Sequence, residues 1–234
     1  MAKRTEAAVR ERLSRETIVT SALALADREG LEAVTIRRLA LDHGVTPMAL
    51  YWHFKEKEQL LDGIAERLFA MVALPTVTDG AWDQQLRDVL DALLAAIRPH
   101  PAVAALAPPR VLSSEAGLTL AERVLGLLRT AGFSAEQAAQ VGSYLLWAII
   151  TLVTAEPGHD RTADPEAHEA HLRNKKATLS ALEPQRYPNV IDSVESLVTC
   201  ADEDSYFSTG LDLLVEGTLG ILPAQPPRSG PVPA

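Results

Sequence analysis

The sequence predicts an all-α protein, and three observations lead to that prediction. Leu and Ala dominate the 234 residues while aromatic residues make up only 5%, a composition that favours helices. Apolar residues recur at helical spacing in segment after segment, and no stretch alternates long enough to form a useful strand. Helix start and stop signals also divide the chain at short intervals. We therefore expect an N-terminal domain of three short helices followed by a larger helical C-terminal domain.

Each of the three N-terminal helices has a capping signal in the sequence. A Ser or Thr stands where the first backbone N–H groups need an acceptor, and glycine follows where a left-handed residue ends a helix. Pro47 occupies the first position of the third helix, where its missing N–H costs nothing. The short turn between the second and third helices is typical of a helix-turn-helix motif. The caps are Ser14, Thr35 and Thr46, and the stops are Gly30 and Gly44.

A longer series of helices follows the motif. We expect the helix-turn-helix domain to span residues 1–56 and the C-terminal domain to span 57–222, with a Pro-rich tail over 223–234 that is predicted to be disordered. A helix over 57–74 connects the two domains. The remaining predicted helices cover 82–98, 114–130, 135–155, 166–182, 190–199 and 204–222.

The predicted helix over 135–155 is apolar nearly all round. Ser134 and Gln137 form a capping box at its start, and the apolar residues that follow leave it no polar side. A helix of this kind must be buried on two sides, so one side packs in the core and the other needs a partner. We therefore predict a homodimer in which this helix and the one over 204–222 form a four-helix bundle with their mates. Gly210 and Gly217 would let the backbones approach closely.

The net charge of −9 is unevenly distributed along the chain. Residues 1–70 hold 11 Lys and Arg and 11 Asp and Glu, so the whole negative excess lies after residue 70. The N-terminal domain is neutral and begins with a basic leading edge, formed by Lys3, Arg4, Arg10 and Arg12, whereas the rest of the chain is acidic. This distribution is compatible with nucleic-acid binding by the N-terminal domain alone.

Cysteine content and hydropathy indicate the compartment. The single cysteine, Cys200, excludes an internal disulfide and fits a reducing environment. No uninterrupted apolar run approaches the roughly 18 residues of a membrane span, and the charged N-terminus does not resemble a signal peptide. We expect a cytoplasmic protein with no membrane partner.

The segment TPMALYWHFKEKEQLL concentrates aromatic and basic side chains on the third helix and just after it. A recognition helix enters the major groove of DNA with its N-terminal residues against base edges. Its short length and its three adjacent rings fit that task better than core packing, because adjacent residues on a helix point in different directions. The sequence predicts that Tyr51 and His53 contact phosphate and that part of Trp52 packs the helix in place.

The longer stretch TIRRLALDHGVTPMALYWHFKEKEQLLDGIA resembles the DNA-binding domain of the tetracycline-repressor (TetR) family of bacterial regulators. The segments LLRTAGFSAEQAAQ and FSTGLDLLVEGTLGIL resemble the ligand-binding domain of the tetracycline repressor's own subgroup. The resemblance implies an all-helical homodimer that binds operator DNA and releases it when an effector binds the C-terminal domain. It implies DNA contacts from Thr35, Arg37, Thr46, Pro47, Met48, Ala49, Tyr51, Trp52, His53 and Lys57.

The start of the recognition helix departs from the tetracycline repressors. Those proteins offer a polar amide to the bases, whereas this chain has Pro47, Met48 and Ala49. Such residues can touch a thymine methyl but cannot form a bidentate hydrogen bond. We therefore predict that Arg37 provides most of the hydrogen-bonded base discrimination, with guanine preferred.

The pocket implied by the resemblance also departs from the tetracycline repressors. Where they hold drug and magnesium with polar groups, the matching positions here are Ala73, Val89, Leu93 and Ala107, and the metal-binding histidine is absent. Glu156 alone falls where they have a metal-linked carboxylate. We expect no cofactor and a hydrophobic effector, with Tyr144 and Thr151 as polar anchors. The predicted lining is Leu86, Val89, Leu93, Leu106, Val111, Tyr144, Trp147, Ala148 and Thr151.

Other functions remain open at this point. A small-molecule carrier or an enzyme that retains a helical head is one alternative, although the sequence has no glycine-rich phosphate loop and no Gly-x-Ser-x-Gly elbow. An activator is another, because the sign of regulation depends on operator position. His168 and His171 form a possible metal pair, but no further His or Cys ligand is near them. We expect this protein not to be an enzyme.

Overall fold

The computed structural model describes residues 13–157, 165–200 and 202–222. The predicted tail and the basic leading edge lie outside these ranges. Within them the chain forms helices and no strand. The α-helices are α1 (Arg15–Glu29), α2 (Ile36–Asp42), α3 (Pro47–Tyr51), α4 (Lys57–Ala70), α5 (Trp82–Ile97), α6 (Glu115–Ala131), α7 (Ala135–Thr154), α8 (Pro165–Ser180), α9 (Pro188–Asp192), α10 (Val194–Val198) and α11 (Glu203–Gly220).

Most of the helix ends follow the capping signals in the sequence. The Ser14 hydroxyl accepts from the Thr17 N–H at 3.0 Å, and Ser134 forms the predicted capping box with Gln137. Gly132 ends α6 with a left-handed φ of 109°, a conformation that costs glycine little. Local hydrogen bonding therefore determines where these helices begin and end.

Three elements differ from the sequence-based expectation. The connecting helix α4 ends at Ala70 rather than at residue 74, because the chain turns out at Met71 so that Val72 and Leu74 pack on the C-terminal core. The segment predicted as one helix over 190–199 is two short helices, α9 and α10, that meet at Ser193. Short 3-10 helices also occur at Leu31–Ala33, Ala104–Leu106 and Pro108–Ser113.

The apolar side chains divide into two cores. The first contains α1 to α4, with Phe54 and Leu50 fully buried at its centre. The second lies among α5, α6, α7 and α11. Helix α4 contributes Leu60 to Leu68 to the first core and Phe69 to the second, so one helix belongs to both domains.

The segment that follows α5 makes further contacts with the N-terminal domain and with α4. Val103 and Leu106, from the loop after α5, are buried in the first core. The ring of His100 lies 2.9 Å from the Asp27 carboxylate of α1. Arg110 donates to Glu58 and Asp62 of α4. The segment 100–113 is therefore the part of the C-terminal domain that packs on the N-terminal domain and on α4.

Candidate DNA-binding surface and effector cavity

Helices α2 and α3 form the predicted helix-turn-helix. The Val45 N–H donates to the Ala40 carbonyl at 2.9 Å, and Gly44 adopts a left-handed φ of 64° that allows the turn. The Thr35 hydroxyl caps α2 by accepting from the Arg38 N–H at 3.1 Å. Thr46 stands at the N-cap position of α3 but makes no side-chain capping bond, which leaves its hydroxyl available to an outside acceptor.

Two buried side chains and one arginine hold α3 in place. Leu50 and Phe54 are fully buried beneath it. Arg15 of α1 donates to the carbonyl of His53 at 3.3 Å and of Gln59 at 3.4 Å, and its guanidinium lies 4.5 Å from the Phe54 ring centroid. Arg15 therefore fixes the end of α3 to the start of α4. This role could not be predicted from the sequence, because nothing in the local pattern around Arg15 distinguishes it from other exposed basic residues.

The outer side of α3 presents large side chains to solvent. Met48 is 67% exposed, Tyr51 is 45% exposed and Trp52 is 79% exposed. The expectation that Trp52 packs the helix in place is wrong, because that position is filled by Leu50 and Phe54 from below. An exposed phenol and indole at the end of α3 are groups that can meet a nucleic-acid backbone or a base edge.

Apart from Thr35 and Arg37 of α2, the remaining predicted DNA contacts lie on or beside the same helix. Thr46 and Pro47 are exposed at its start, while Ala49 and His53 are half-buried. Lys57 is exposed at the first position of α4. Positively charged and hydroxyl groups thus lie on both sides of the exposed rings.

The two neighbouring arginines of α2 are used differently. Arg38 donates two hydrogen bonds to Glu29 at 2.7 and 2.6 Å and one to Asp42 at 3.1 Å. This pairing raises the pKa of Arg38 and lowers the pKa of Glu29. Arg37 is exposed and has no hydrogen bond or ion pair with any described residue. The fold therefore holds one arginine for structure and leaves the other to solvent.

A cavity of about 160 Å³ lies in the C-terminal domain among α5, α6, α7 and the Pro108–Ser113 helix. Its wall is apolar apart from the Ser143 hydroxyl. Small residues of α6 and α7, such as Ala121 and Gly142, leave the space that larger side chains would fill. The lining residues are Leu90, Leu93, Val111, Leu112, Leu120, Ala121, Val124, Leu125, Ala139, Gly142, Ser143, Leu145 and Leu146.

The structure brings only two of the predicted lining residues, Leu93 and Val111, to this cavity. Leu86 and Val89 are sealed in the core of the C-terminal domain, and Leu106 is buried in the core of the N-terminal one. The half-buried Ala148 does not line it either.

The other three predicted residues lie on the outward side of α7. Tyr144 is 74% exposed and Trp147 is 54% exposed, and Thr151 is exposed one turn further along. Because these positions are three and four residues apart, they share one face of the helix. Leu213, on the neighbouring helix α11, is 70% exposed. An apolar face that includes two aromatic rings is therefore open to solvent in the single chain.

Neither the histidine pair nor the cysteine gains a reactive environment. Within the described residues, no group of three or more His, Cys, Asp or Glu side chains could hold a metal ion. Burial is the main cause that raises the pKa of the Cys200 thiol, and the charge of Glu156 adds to it. A raised pKa keeps a thiol protonated and unreactive.

An exposed recognition helix on a helical domain with an apolar cavity defines a DNA-binding regulator that responds to a small molecule. Comparison with known families agrees. Residues 18–64 match the model for bacterial regulatory proteins of the tetR family, and residues 74–220 match the model for the tetracyclin repressor-like C-terminal domain. The chain therefore belongs to the TetR family of transcriptional regulators, as the resemblance in its sequence implied.

Individual relatives extend this match over most of the chain. An HTH-type transcriptional regulator of Saccharopolyspora erythraea is 30% identical over 173 residues, which cover 73% of each chain. The tetracycline repressor protein class C of Escherichia coli is 30% identical over 215 residues, or 88% of this chain and 90% of the repressor. The crystal structure of ActR from Streptomyces coelicolor in complex with actinorhodin superposes with a TM-score of 0.72 at 27% identity, covering 89% of this chain and 97% of that one.

Proposed function

We propose that this protein is a homodimeric repressor that binds a palindromic operator and is released from it by a small hydrophobic molecule. The observation that carries the proposal is the coexistence of the exposed helix α3 with an apolar cavity in the domain to which it is joined. The tetracycline repressors among its relatives make repression the favoured sign of regulation.

The DNA-binding role is assigned to α3 and the residues that flank it. Arg37 is the group best suited to bidentate hydrogen bonding with guanine, since Arg38 is already committed to carboxylates. Thr46, Tyr51, His53 and Lys57 are assigned to the phosphates, and Pro47, Met48, Ala49 and Trp52 to apolar contacts in the groove. The boundary that we propose for this domain is residue 56, with α4 as the connecting helix.

The dimer is assigned to the outward faces of α7 and α11. By length and composition alone, helix α7 is long and apolar enough to cross a membrane, and 33% of it is buried within the chain. The core helix of a soluble protein can have the same length and composition. A second copy of the chain packed on Tyr144 and Trp147 explains why this aromatic face is exposed in the single chain. Gly217 of α11 has open space around its Cα, so a partner helix can approach closely there.

The cavity favours an effector of modest size with few polar groups. A volume of about 160 Å³ is close to the roughly 150 Å³ engineered cavity that stays dry and binds benzene or xenon. Ser143 offers the one hydroxyl on the wall. A tetracycline–magnesium complex would find Leu93 and other apolar groups where it needs ligands, so we propose a different effector.

A gel shift followed by a thermal-shift screen tests this function. The protein is first titrated with DNA from upstream of its own gene, and sequence-specific retardation that disappears at high salt is expected. Small aromatic and terpenoid compounds are then screened for stabilisation, and each stabilising compound is tested for release of the DNA. A ligand at 100 times its Kd stabilises the protein by about 2.7 kcal/mol.

The alternative of a carrier or an enzyme with a helical head predicts a different result. A carrier would bind apolar compounds and show no sequence-specific shift even at low salt. A protein that binds DNA at the same site but raises transcription would be an activator. We propose no enzymatic activity and a cytoplasmic location, where operator DNA is found in bacteria.

A further inference from the structure

The short 3-10 helix Pro108–Ser113 faces the cavity with one part and the connecting helix α4 with another. Val111 and Leu112 line the cavity. The preceding residue, Arg110, reaches α4, where its Nε donates to Asp62 at 2.9 Å and its Nη2 donates to Glu58 at 2.6 Å. The Arg110 side chain is only 17% exposed, so it is held against α4 rather than in open solvent.

The 3-10 helix is also backed tightly by α6. A Cβ atom added at Gly117 would overlap the Val111 carbonyl oxygen, so glycine is required for this approach. The Ser114 hydroxyl accepts from the Gly117 N–H at 3.1 Å and fixes the junction. Because there is no free space on the α6 side, an occupant that displaces Val111 and Leu112 must move the segment together with Arg110.

Movement of the first turns of α4 reaches the recognition helix directly. Glu58 is the second residue of α4, and only five residues separate Lys57 from the end of α3 at Tyr51. Arg15 ties the carbonyls of His53 and Gln59 to α1. The end of α3 and the start of α4 are therefore held as one unit. A displacement of Arg110 that moves Glu58 and Asp62 would move this unit as well.

We propose that Arg110 is the positioning residue that couples occupancy of the cavity to the placement of α3. Arg110 does not line the cavity. It acts through the two carboxylates of α4, which match the fork of a guanidinium better than the point charge of a lysine. This inference rests on the proposed function, because it assumes that the cavity and the operator are linked.

The coupling can be tested without a known effector by substitutions that displace the 3-10 helix Pro108–Ser113. Gly117→Ala displaces Val111 from the α6 side, and Gly142→Phe places a ring in the cavity that Val111 and Leu112 line. The operator is the inverted repeat that the wild-type protein selects from random-sequence DNA. Each substitution is then measured alone and together with Arg110→Ala, as a double-mutant cycle on operator Kd.

The expected result is a loss of coupling when Arg110 is removed. Gly117→Ala and Gly142→Phe each raise the operator Kd by roughly tenfold, within the 5–150-fold range of allosteric couplings. In the Arg110→Ala background the same substitutions change Kd by less than about twofold, the limit of additivity. Arg110→Lys retains part of the effect. A merely structural ion pair would lower stability and leave the effects of the two substitutions unchanged.

Arg98 provides the matched control. It also donates to two carboxylates, Glu203 at 2.6 Å and Asp204 at 2.9 Å, but both lie on α11 within the C-terminal domain. Arg98→Ala should leave the tenfold effects intact. Circular dichroism melts show whether each variant folds, and if Gly117→Ala does not, Gly142→Phe decides the question.

The outcomes distinguish a failure of the role proposed for Arg110 from a failure of the proposed function. Additive effects of Arg110→Ala with both substitutions, in a protein that binds its operator, overturn the role of Arg110 alone. A wild-type protein that enriches no DNA sequence overturns the proposed function itself. If Arg98→Ala also abolished the effects of Gly117→Ala and Gly142→Phe on operator Kd, a general loss of rigidity would explain the coupling without Arg110. That result would also overturn the inference.

Discussion

The proposed DNA-binding surface and the proposed effector cavity are built in opposite ways. The proposed DNA-binding surface comes from one continuous stretch, residues 35–57, in which each candidate side chain is a few positions from the next. The cavity takes its wall from three helices and a 3-10 helix that spread over residues 90–146. A surface made by one segment can be identified from its local sequence, whereas a cavity depends on which side of each helix faces inward.

The largest expected effect concerns a third surface, the outward face of α7. This face belongs neither to the proposed DNA-binding surface nor to the cavity. Trp147→Glu places a charge in the proposed dimer interface, so the protein should become a monomer. Loss of the paired second half-site should lower operator affinity by roughly 10²–10⁴-fold, the usual gain from linked binding. Sedimentation velocity and operator titration measure the two effects.

Leu118→Glu is the matched control for that substitution. Leu118 is 50% exposed on α6, so the same change in charge occurs away from the α7 face. It should leave the mass and the operator affinity unchanged. If Trp147→Glu remains a dimer with normal affinity, the aromatic face does not form the dimer interface, and effector contact is the alternative role for Tyr144 and Trp147.

The second prediction separates the cavity from the DNA-binding surface. Benzene at 100 times its Kd should stabilise the wild type by about 2.7 kcal/mol, which for a chain of this size raises Tm by roughly 5–10 °C. Gly142→Phe should abolish that shift because the ring occupies the space. Gly142→Ala should retain it, since a Cβ there meets Leu125 at an ordinary 3.6 Å. An equal benzene shift in both variants would place the apolar site elsewhere.

The third prediction tests base reading by the DNA-binding surface. Arg37→Ala should cost roughly 1–3 kcal/mol on the selected operator and relax one position in each half-site. Thermal stability should not change, because Arg37 has no partner among the described residues. Binding to a panel of operator variants measures the effect, and uniform weakening across the panel would make Arg37 a phosphate contact.

Lys57→Ala is the companion to that experiment. A phosphate contact should weaken binding about equally on all sequences and reduce the salt slope by about one per protomer. A change of sequence preference in Lys57→Ala would reverse the two assignments.

The smallest expected effect concerns the ion pair between Arg38 and Glu29. The hydrogen bonds from Arg38 lower the pKa of Glu29, so the folded state binds this proton less readily than the unfolded state. The pair therefore stabilises the fold above about pH 4.5, and its contribution is lost as pH falls through the folded pKa. The Tm difference between the wild type and Glu29→Gln should be largest at pH 7 and should shrink as the pH falls below about 4.5. A difference that stays constant as the pH falls would mean that packing, not charge, is responsible.

Sequence signals accounted for most of the fold because they were local. The capping hydroxyls of Ser14, Thr35 and Ser134 lie within three residues of the N–H groups that they accept from. The connecting helix was predicted too long, since helical spacing continued past Ala70 while tertiary packing turned the chain. Helical spacing could not predict contacts between segments that are far apart in the sequence. Arg15 and Arg110 both act on partners about 40 or more residues away.

The cavity was predicted less well for a reason that α7 makes clear. Its apolar residues surround the helix, so periodicity could not tell the cavity side from the outer side. Tyr144 and Leu145 are adjacent in sequence, yet Tyr144 is 74% exposed and Leu145 is buried. Gly210 shows the same ambiguity. It was expected to admit a partner helix, but a Cβ there would lie 2.7 Å from Leu152 of the same chain.

Selection from random-sequence DNA by the wild-type protein, followed by sequencing, tests most directly whether α3 reads DNA as part of a twofold dimer. Two recognition helices related by twofold symmetry must lie about one helical turn apart, roughly 34–36 Å or a multiple of it. The result that we predict is enrichment of an inverted repeat with that spacing, lost in Trp147→Glu. Enrichment of a single unpaired half-site, or of no sequence at all, would contradict it.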